Sequence, residues 1–264
     1  MIYLKTDEEI ELLRKANLLV SGTLAEIAKI VRPGITTLEM DALAEQYIRD
    51  NGAVPTFKGF PNPNGPAFPA SICTSVNDVV VHGIPDSVPL KEGDIVSVDC
   101  GTYIDGFCGD SCYTFCVGEV APEVKTLLEV TKRSLYLAIE QSNAGNRLGD
   151  IGFAVQSYCE RNGYGVVREF VGHGIGHEMH EDPQVPNYGS RGTGKQLKNG
   201  LCIAIEPMIT MGSNKLRMLP DRWGVVTSDG KPAAHFEHTI AIHNGKADIM
   251  SSFEEIEKIE RQQN

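Results

Sequence analysis

Four carboxylates and one histidine sit in five separate apolar, glycine-punctuated segments of this chain. Asp99 lies in Ile95-Val-Ser-Val-Asp99-Cys-Gly and Asp110 in Gly109-Asp110-Ser-Cys. His173 lies in Phe170-Val-Gly-His173-Gly-Ile-Gly, Glu206 in Cys202-Ile-Ala-Ile-Glu206-Pro-Met, and Glu237 in His235-Phe-Glu237-His238-Thr-Ile. A carboxylate buried in a β-branched strand is costly unless its charge is compensated. A lone strand acid is usually an edge residue facing water, which would account for Asp110 or Glu237 singly. It accounts poorly for Glu206, whose strand reads as buried on both faces. The compensation these five residues imply is metal, and an oxygen-rich set of this size suits two divalent ions side by side.

Other chemistries fit less well. His177-Glu-Met-His180 is one residue short of the zincin spacing His-Glu-x-x-His, so its histidines would not share a helical face. Gly172, Gly174 and Gly176 disfavour a helix there and instead let backbone approach a bound group. Their Gly-x-Gly-x-Gly spacing also fails as a dinucleotide fingerprint. Cys100, Cys108, Cys112 and Cys116 lack paired Cys-x-x-Cys knuckles, and strand alternation reads them as buried structural thiols. Neither a Gly-x-Ser-x-Gly elbow nor a Walker loop is present.

The elements that must position the five residues are legible in outline. Thr6-Asp-Glu-Glu9 is a capping box that predicts a helix to about Val31, ended by Pro33-Gly34. Thr36-Thr-Leu-Glu39 caps a second helix that closes at Asn51-Gly52. The pattern returns 111 residues later: Gly34 matches Gly145, Tyr47 matches Tyr158, and Asn51-Gly52 matches Asn162-Gly163. An internal duplication is the expectation, with halves of about 6–118 and 119–250 in a single catalytic domain, 1–264. Such a domain is α+β and pseudo-symmetric, with its site between the halves. Asp99 and Asp110 belong to the first half, Glu206 and Glu237 to the second. Asp105-Gly106 favours a tight hairpin, across which Asp99 and Asp110 fall nearly opposite. A bulge or small register offset then brings their carboxylates onto one face. Residues 53–72 read as a long loop, and 254–264 as a charged tail that frays at its end.

The 264 residues, 41% hydrophobic and 22% charged, fit an ordinary soluble globular protein with a sizeable core. A net charge of −11 argues against a nucleic-acid footprint. The sequence has no run apolar enough to span a bilayer and no leader pattern, so no membrane partner is expected. Seven cysteines, odd in number and unevenly placed, suit free thiols in a reducing cytoplasm.

The segments around Asp99, Asp110, Gly172-His173-Gly, Ile205-Glu206-Pro-Met and Phe236-Glu237-His238-Thr together strongly resemble the type I methionine aminopeptidases. The resemblance runs from the first helix to about Met250. It implies the pita-bread fold, two pseudo-symmetric halves around a central antiparallel sheet with metals in the cleft. The short interval from His173 to Glu206 leaves no room for the helical insertion of type II enzymes. No N-terminal zinc-binding extension is present. By resemblance, Asp99 chelates one metal and His173 the other, Asp110 and Glu237 bridge, and Glu206 completes the second site. The ions, cobalt, manganese, iron or zinc, would hold a hydroxide between them, with Glu206 shuttling its proton to the leaving amine. His82 and His180 would contact the scissile amide. Phe60, Phe68, Cys73, Met179 and Trp223 would wall the methionine pocket, although Pro61 to Ala67 lengthens that loop relative to shorter members. Backbone oxygens near Asn77 and Val79 would hold a monovalent cation. The implied activity is removal of the N-terminal methionine from nascent proteins and peptides with a small second residue. The expected setting is a cytoplasmic monomer with transient ribosome association. The rivals are a proline-directed peptidase, which usually carries an additional N-terminal domain, and a metal-free binding protein of the same fold, which typically loses ligands.

Overall fold

The computed structural model describes residues 2–263. Helices α1 (Asp7–Ala28) and α2 (Thr37–Asp50) open on Thr6 and Thr36, whose hydroxyls accept the backbone N–H of Glu9 and Glu39 while those carboxylates return the bond. Both capping boxes are complete. α1 stops at Ala28, short of the expected Val31. The N–H groups of Ile30 and Val31 both turn back to the Ile27 carbonyl, tightening the chain ahead of Pro33.

Within the segment expected as an unbroken loop, Val54–Pro55 forms a short strand, β1, against the edge of the sheet. Then come β2 (Ile72–Val76), β3 (Val79–Val81), and the long hairpin of β4 (Ile95–Ile104) and β5 (Phe107–Cys116). Asp105 and Gly106 make its turn with φ of 52° and 86°, the two positive values that match the twist of a two-residue hairpin. Pairing is unbroken from Ile104↔Phe107 to Ile95↔Cys116, so no bulge is needed. Asp99 faces Cys112 and Gly101 faces Asp110, which makes the two acids diagonal neighbours on one face.

The second half repeats helices before strands: α3 (Pro122–Gln141), α4 (Leu148–Arg161), β6 (Gly165–Val166), β7 (Gly172–Gly174) and β8 (Glu181–Val185). α2 and α4 are each 14 residues, displaced by 111 positions. β9 (Cys202–Ile205), β10 (Met208–Thr210), β11 (Leu216–Met218), β12 (Val225–Thr227) and β13 (Ala233–His235) follow. β14 (Glu237–His243), β15 (Lys246–Ile249) and α5 (Glu254–Gln263) complete the chain. Nine strands form one antiparallel sheet along the path β1-β4-β5-β14-β9-β7-β8, with β2 added to β4 and β15 to β14. α1 packs on β4 and β5, and α3 on β14 and β9. Between helices and sheet lies the main apolar core, from Val20 and Leu24 through Val96, Val98 and Phe115 to Leu135 and Ile240.

The segment expected as a charged tail is helical over its described residues, as α5, and the end expected to fray, Asn264, lies outside them. α5 buries Ile256 completely, Lys132 pairs with Glu257 at 2.9 Å, and the Tyr113 hydroxyl donates to Glu260 at 2.7 Å. Its apolar stripe docks on α1, which supplies the order that its charged sequence obscures. Ile256→Ala is expected to cost about 2–4 kcal/mol in denaturant unfolding. A cost below about 0.5 kcal/mol would show that α5 contributes no packing.

Candidate metal centre

Five adjacent strands of the sheet path, β4-β5-β14-β9-β7, deliver one functional residue each. Asp99 and Glu237 both pair with Cys112 across the ladder, so the three share a row and a face. Asp110 lies two residues along from Cys112 on that face. Its backbone is fixed from behind: Asn17, buried in α1, accepts the Asp110 N–H at 3.1 Å, and the Asp110 carbonyl accepts Thr239 Oγ1 at 2.9 Å. Glu206 stands one residue past the end of β9, at the break before Pro207 and β10, rather than inside a continuous strand. His173 lies in strand β7 rather than in a loop. A Cβ on Gly172 would meet the Ala204 carbonyl at 2.3 Å, and one on Gly174 would meet the Asp182 carbonyl at 2.2 Å. The glycines on either side of His173 let β7 close against both neighbours.

The ligand atoms converge. Asp110, His173 and Glu237 each place one donor atom within 4.8 Å of the others. His173 Nε2 is 3.5 Å from Asp110 Oδ2 and 3.6 Å from Glu206 Oε1. His173 Nδ1 lies 2.9 Å from the Gly174 carbonyl, and donating there leaves Nε2 aimed at the carboxylates. Three oxygens, Asp99 Oδ1, Asp110 Oδ1 and Glu237 Oε1, are buried with no hydrogen-bond partner. Orphaned carboxylate oxygens converging with an imidazole nitrogen are what divalent cations accept, so these residues fit metal.

Electrostatics agree. Burial pushes the Asp99 carboxyl well above its ordinary value, and the charges of Asp110 and Glu206 push it further. Glu237 rises well above its usual range by burial, then by Asp110, Glu206 and Asp99. Asp110 rises less, because the burial that raises it is opposed by its bond to His173. Burial alone would lower His173, but its bond to Asp110 and the charges of Glu206 and Asp110 win and hold it at about 9. These shifts favour the protonated carboxyls, and a cation bound among them would displace protons.

All five residues line one cavity of about 710 Å³. His82, His180, Phe60, Phe68, Cys73 and Trp223 line it as well. Phe68 and Trp223 meet edge to face at 5.1 Å, His180 stands 5.4 Å from Phe60 and 4.4 Å from His173, and His82 is 5.4 Å from Phe170. Burial, then the His173 charge, depresses His180 to about 4, and burial lowers His82, so both are neutral imidazoles. The lengthened 61–67 loop is tied to the segment carrying Trp223. Asn62 Nδ2 donates to the Arg222 carbonyl and Trp223 Nε1 to the Pro66 carbonyl, both at 2.9 Å, while the Arg222 guanidinium donates to the Asn64 carbonyl.

Met179 is the exception among the expected pocket residues. It is buried with Ile10, Leu13, Phe107 and Ile175, behind Gly101, and does not line the cavity. His177 is exposed, with Nδ1 2.8 Å from the Gly106 carbonyl and its ring 4.3 Å from Phe107. Asn77 takes a φ of 53° and its carbonyl accepts the Ala233 N–H at 2.9 Å. Sequence reasoning missed His235, which lines the cavity with an unpartnered Nε2, 3.5 Å from Glu206 Oε2. Its position two residues before Glu237 was the available signal, because alternate residues of an extended chain share a face. Phe170 and Gln184 line the cavity too, and nothing in their sequence context marks them.

A sheet-borne cluster of buried carboxylates and one imidazole at the floor of a cleft defines a metallohydrolase. Residues 11–244 match metallopeptidase family M24, and the chain belongs to that family. It is 49% identical over 251 residues to the methionine aminopeptidase of Clostridium perfringens, covering 95% of this chain and 99% of that one. It is 48% identical to methionine aminopeptidase 1 of Bacillus subtilis at the same coverage. The crystal structure of the Rickettsia prowazekii methionine aminopeptidase superimposes with a TM-score of 0.91 at 41% identity, over 96% of this chain and 100% of that one. A prolidase from Pyrococcus horikoshii, 20% identical, shares the fold alone at a TM-score of 0.75, and this chain covers 63% of its length. The fold is the pita-bread fold, and the activity is that of a methionine aminopeptidase, consistent with the short type I form.

Adding Mn²⁺ or Co²⁺ to metal-free protein near pH 6.5 is expected to release protons, because the raised carboxyls must ionise to bind. Calorimetric heats should then differ between buffers of different ionisation enthalpy. Identical heats would refute protonated carboxyls.

Proposed function

We propose that this enzyme removes the N-terminal methionine from nascent proteins and peptides whose second residue is small. The observation that carries the reading is one of adjacency. Phe60, Phe68, Cys73 and Trp223 wall an apolar part of the same cavity whose floor holds Asp99, Asp110, His173, Glu206 and Glu237. A methionine side chain needs a narrow, soft, apolar wall, and its scissile carbonyl must reach the polar floor. His82 and Phe170, whose rings meet at 5.4 Å, crowd the rim and favour a small second residue.

In this reading Asp99, Asp110, His173, Glu206 and Glu237 would together hold the ions. Divalent ions held there supply Lewis acidity and make water a nucleophile near neutral pH. Glu206, which lines the cavity 3.6 Å from His173 Nε2, would take a proton from the attacking water and deliver it to the departing amine. His235, 3.5 Å from Glu206 Oε2, holds that carboxylate in place. His82 and His180 are neutral and donate hydrogen bonds to the developing oxyanion and the scissile amide. Met179 plays no part in the pocket wall. The set of oxygen and imidazole donors admits cobalt, manganese, iron or zinc, chosen by geometry and availability. The reading also includes a monovalent cation near Asn77 and Val79, two duplicated halves in one catalytic domain, and a cytoplasmic monomer meeting chains at the ribosome.

Metal-loaded protein should release methionine from Met-Ala-Ser and leave Xaa-Pro peptides intact. Turnover of Xaa-Pro alone would overturn the assignment. Glu206→Gln should lower kcat by about 10²–10⁴-fold with the fold retained by circular dichroism. Near-native turnover in that variant would remove its proton-transfer role.

A further inference from the structure

The cavity that holds the carboxylates does not end at them. Asp182 and Gln184, both exposed on β8, line it and also line a second cavity of about 460 Å³. β8 is the terminal strand of the sheet path, so its outer edge carries no further strand among the described residues. The second cavity is walled by Gly149, Gly189, Gly194 and Thr193, with Tyr188 and Lys195 at its sides. Three glycines and a threonine present mostly backbone, so this wall accepts a chain without selecting its side chains. It is also rigid: Gly149 N–H donates to the Thr193 carbonyl at 3.0 Å and Gly189 N–H to Gln156 Oε1 at 3.1 Å. The Tyr188 ring lies against the Arg168 guanidinium at 5.0 Å, which fixes it as an apolar platform.

The geometry points to this second cavity as the binding channel for the polypeptide downstream of the scissile bond, about its third to fifth residues, held extended beside β8. The inference rests on the methionine aminopeptidase reading of the first cavity and adds to it the route of the remaining chain. An exopeptidase buries only the terminal residue of a long substrate, so the rest must leave through an open wall. Asp182 and Gln184 are the residues common to both spaces, and the Gln184 amide can both donate to and accept from a passing peptide group. The occupant is thus an unfolded peptide with small side chains, with Lys195 beside it.

The test compares Met-Ala-Ser with Met-Ala-Ser-Gly-Ser-Gly on the metal-loaded enzyme. The hexapeptide should show kcat/KM about tenfold higher, expressed in KM, and the double variant Gln184→Ala/Tyr188→Ala should bring that ratio to about one. A hexapeptide carrying a diazirine side chain at its fifth residue should crosslink within residues 186–195. Methionine release with no length dependence, or a crosslink on the opposite rim at Phe170 or Val171, would overturn the channel while leaving the activity intact. Release from neither peptide would overturn the aminopeptidase reading, and this inference with it.

Discussion

Four carboxylates line the floor of one cavity, and their mutual repulsion is the constraint the rest of the structure has to meet. Burial and mutual charge both raise the carboxyls of Asp99 and Glu237, and one imidazole, His173, supplies the only positive charge among the five. A protein tolerates such a cluster when the surrounding fold over-determines it and a cation completes it. The rest of the architecture is arranged to meet that condition.

The sheet does most of this. Asp99, Asp110, Glu237 and His173 lie on neighbouring strands and Glu206 directly follows β9, so the spacing of the site is largely that of a hydrogen-bonded ladder rather than of flexible loops. The hairpin register fixes Asp99 and Asp110 as diagonal neighbours, and the row through Cys112 adds Glu237. α1 fixes the ladder from behind: Asn17 grips the Asp110 backbone, and Thr102 Oγ1 donates to the Ala16 carbonyl at 3.0 Å. α5, in turn, covers α1 and ties down Tyr113 on the reverse of β5. The remote C-terminal helix thereby supports the strand that carries Asp110.

Polar floor and apolar wall meet within one cavity, and this division of labour gives the site its chemistry. The floor carries the charged groups, and Phe60, Phe68 and Trp223 supply apolar wall. Burial lowers the pKa of both imidazoles on the walls, His82 and His180. The 61–67 loop is tied to Arg222 and Trp223 through three hydrogen bonds, so an element that looks merely long in sequence is anchored beside a cavity-lining residue.

The five acidic and imidazole residues, the two capping boxes and the Asp105-Gly106 turn were all legible in the sequence, because each is a local event: a helix start, a tight turn, a charge in an apolar strand. The 111-residue spacing was legible too, since helices of equal length leave equal patterns. What stayed hidden depends on contacts between distant segments. Met179 follows the site loop in sequence but turns into the core, His235 nears Glu206 only when β13 pairs with β10, and α5 looks like a charged tail until α1 covers its apolar stripe. The sequence by itself determined which residues must share a counter-charge, since the cost of burying a carboxylate is the same wherever it sits. Only the tertiary structure decided which side chains face the cavity, because facing is a property of register and packing, not of residue type.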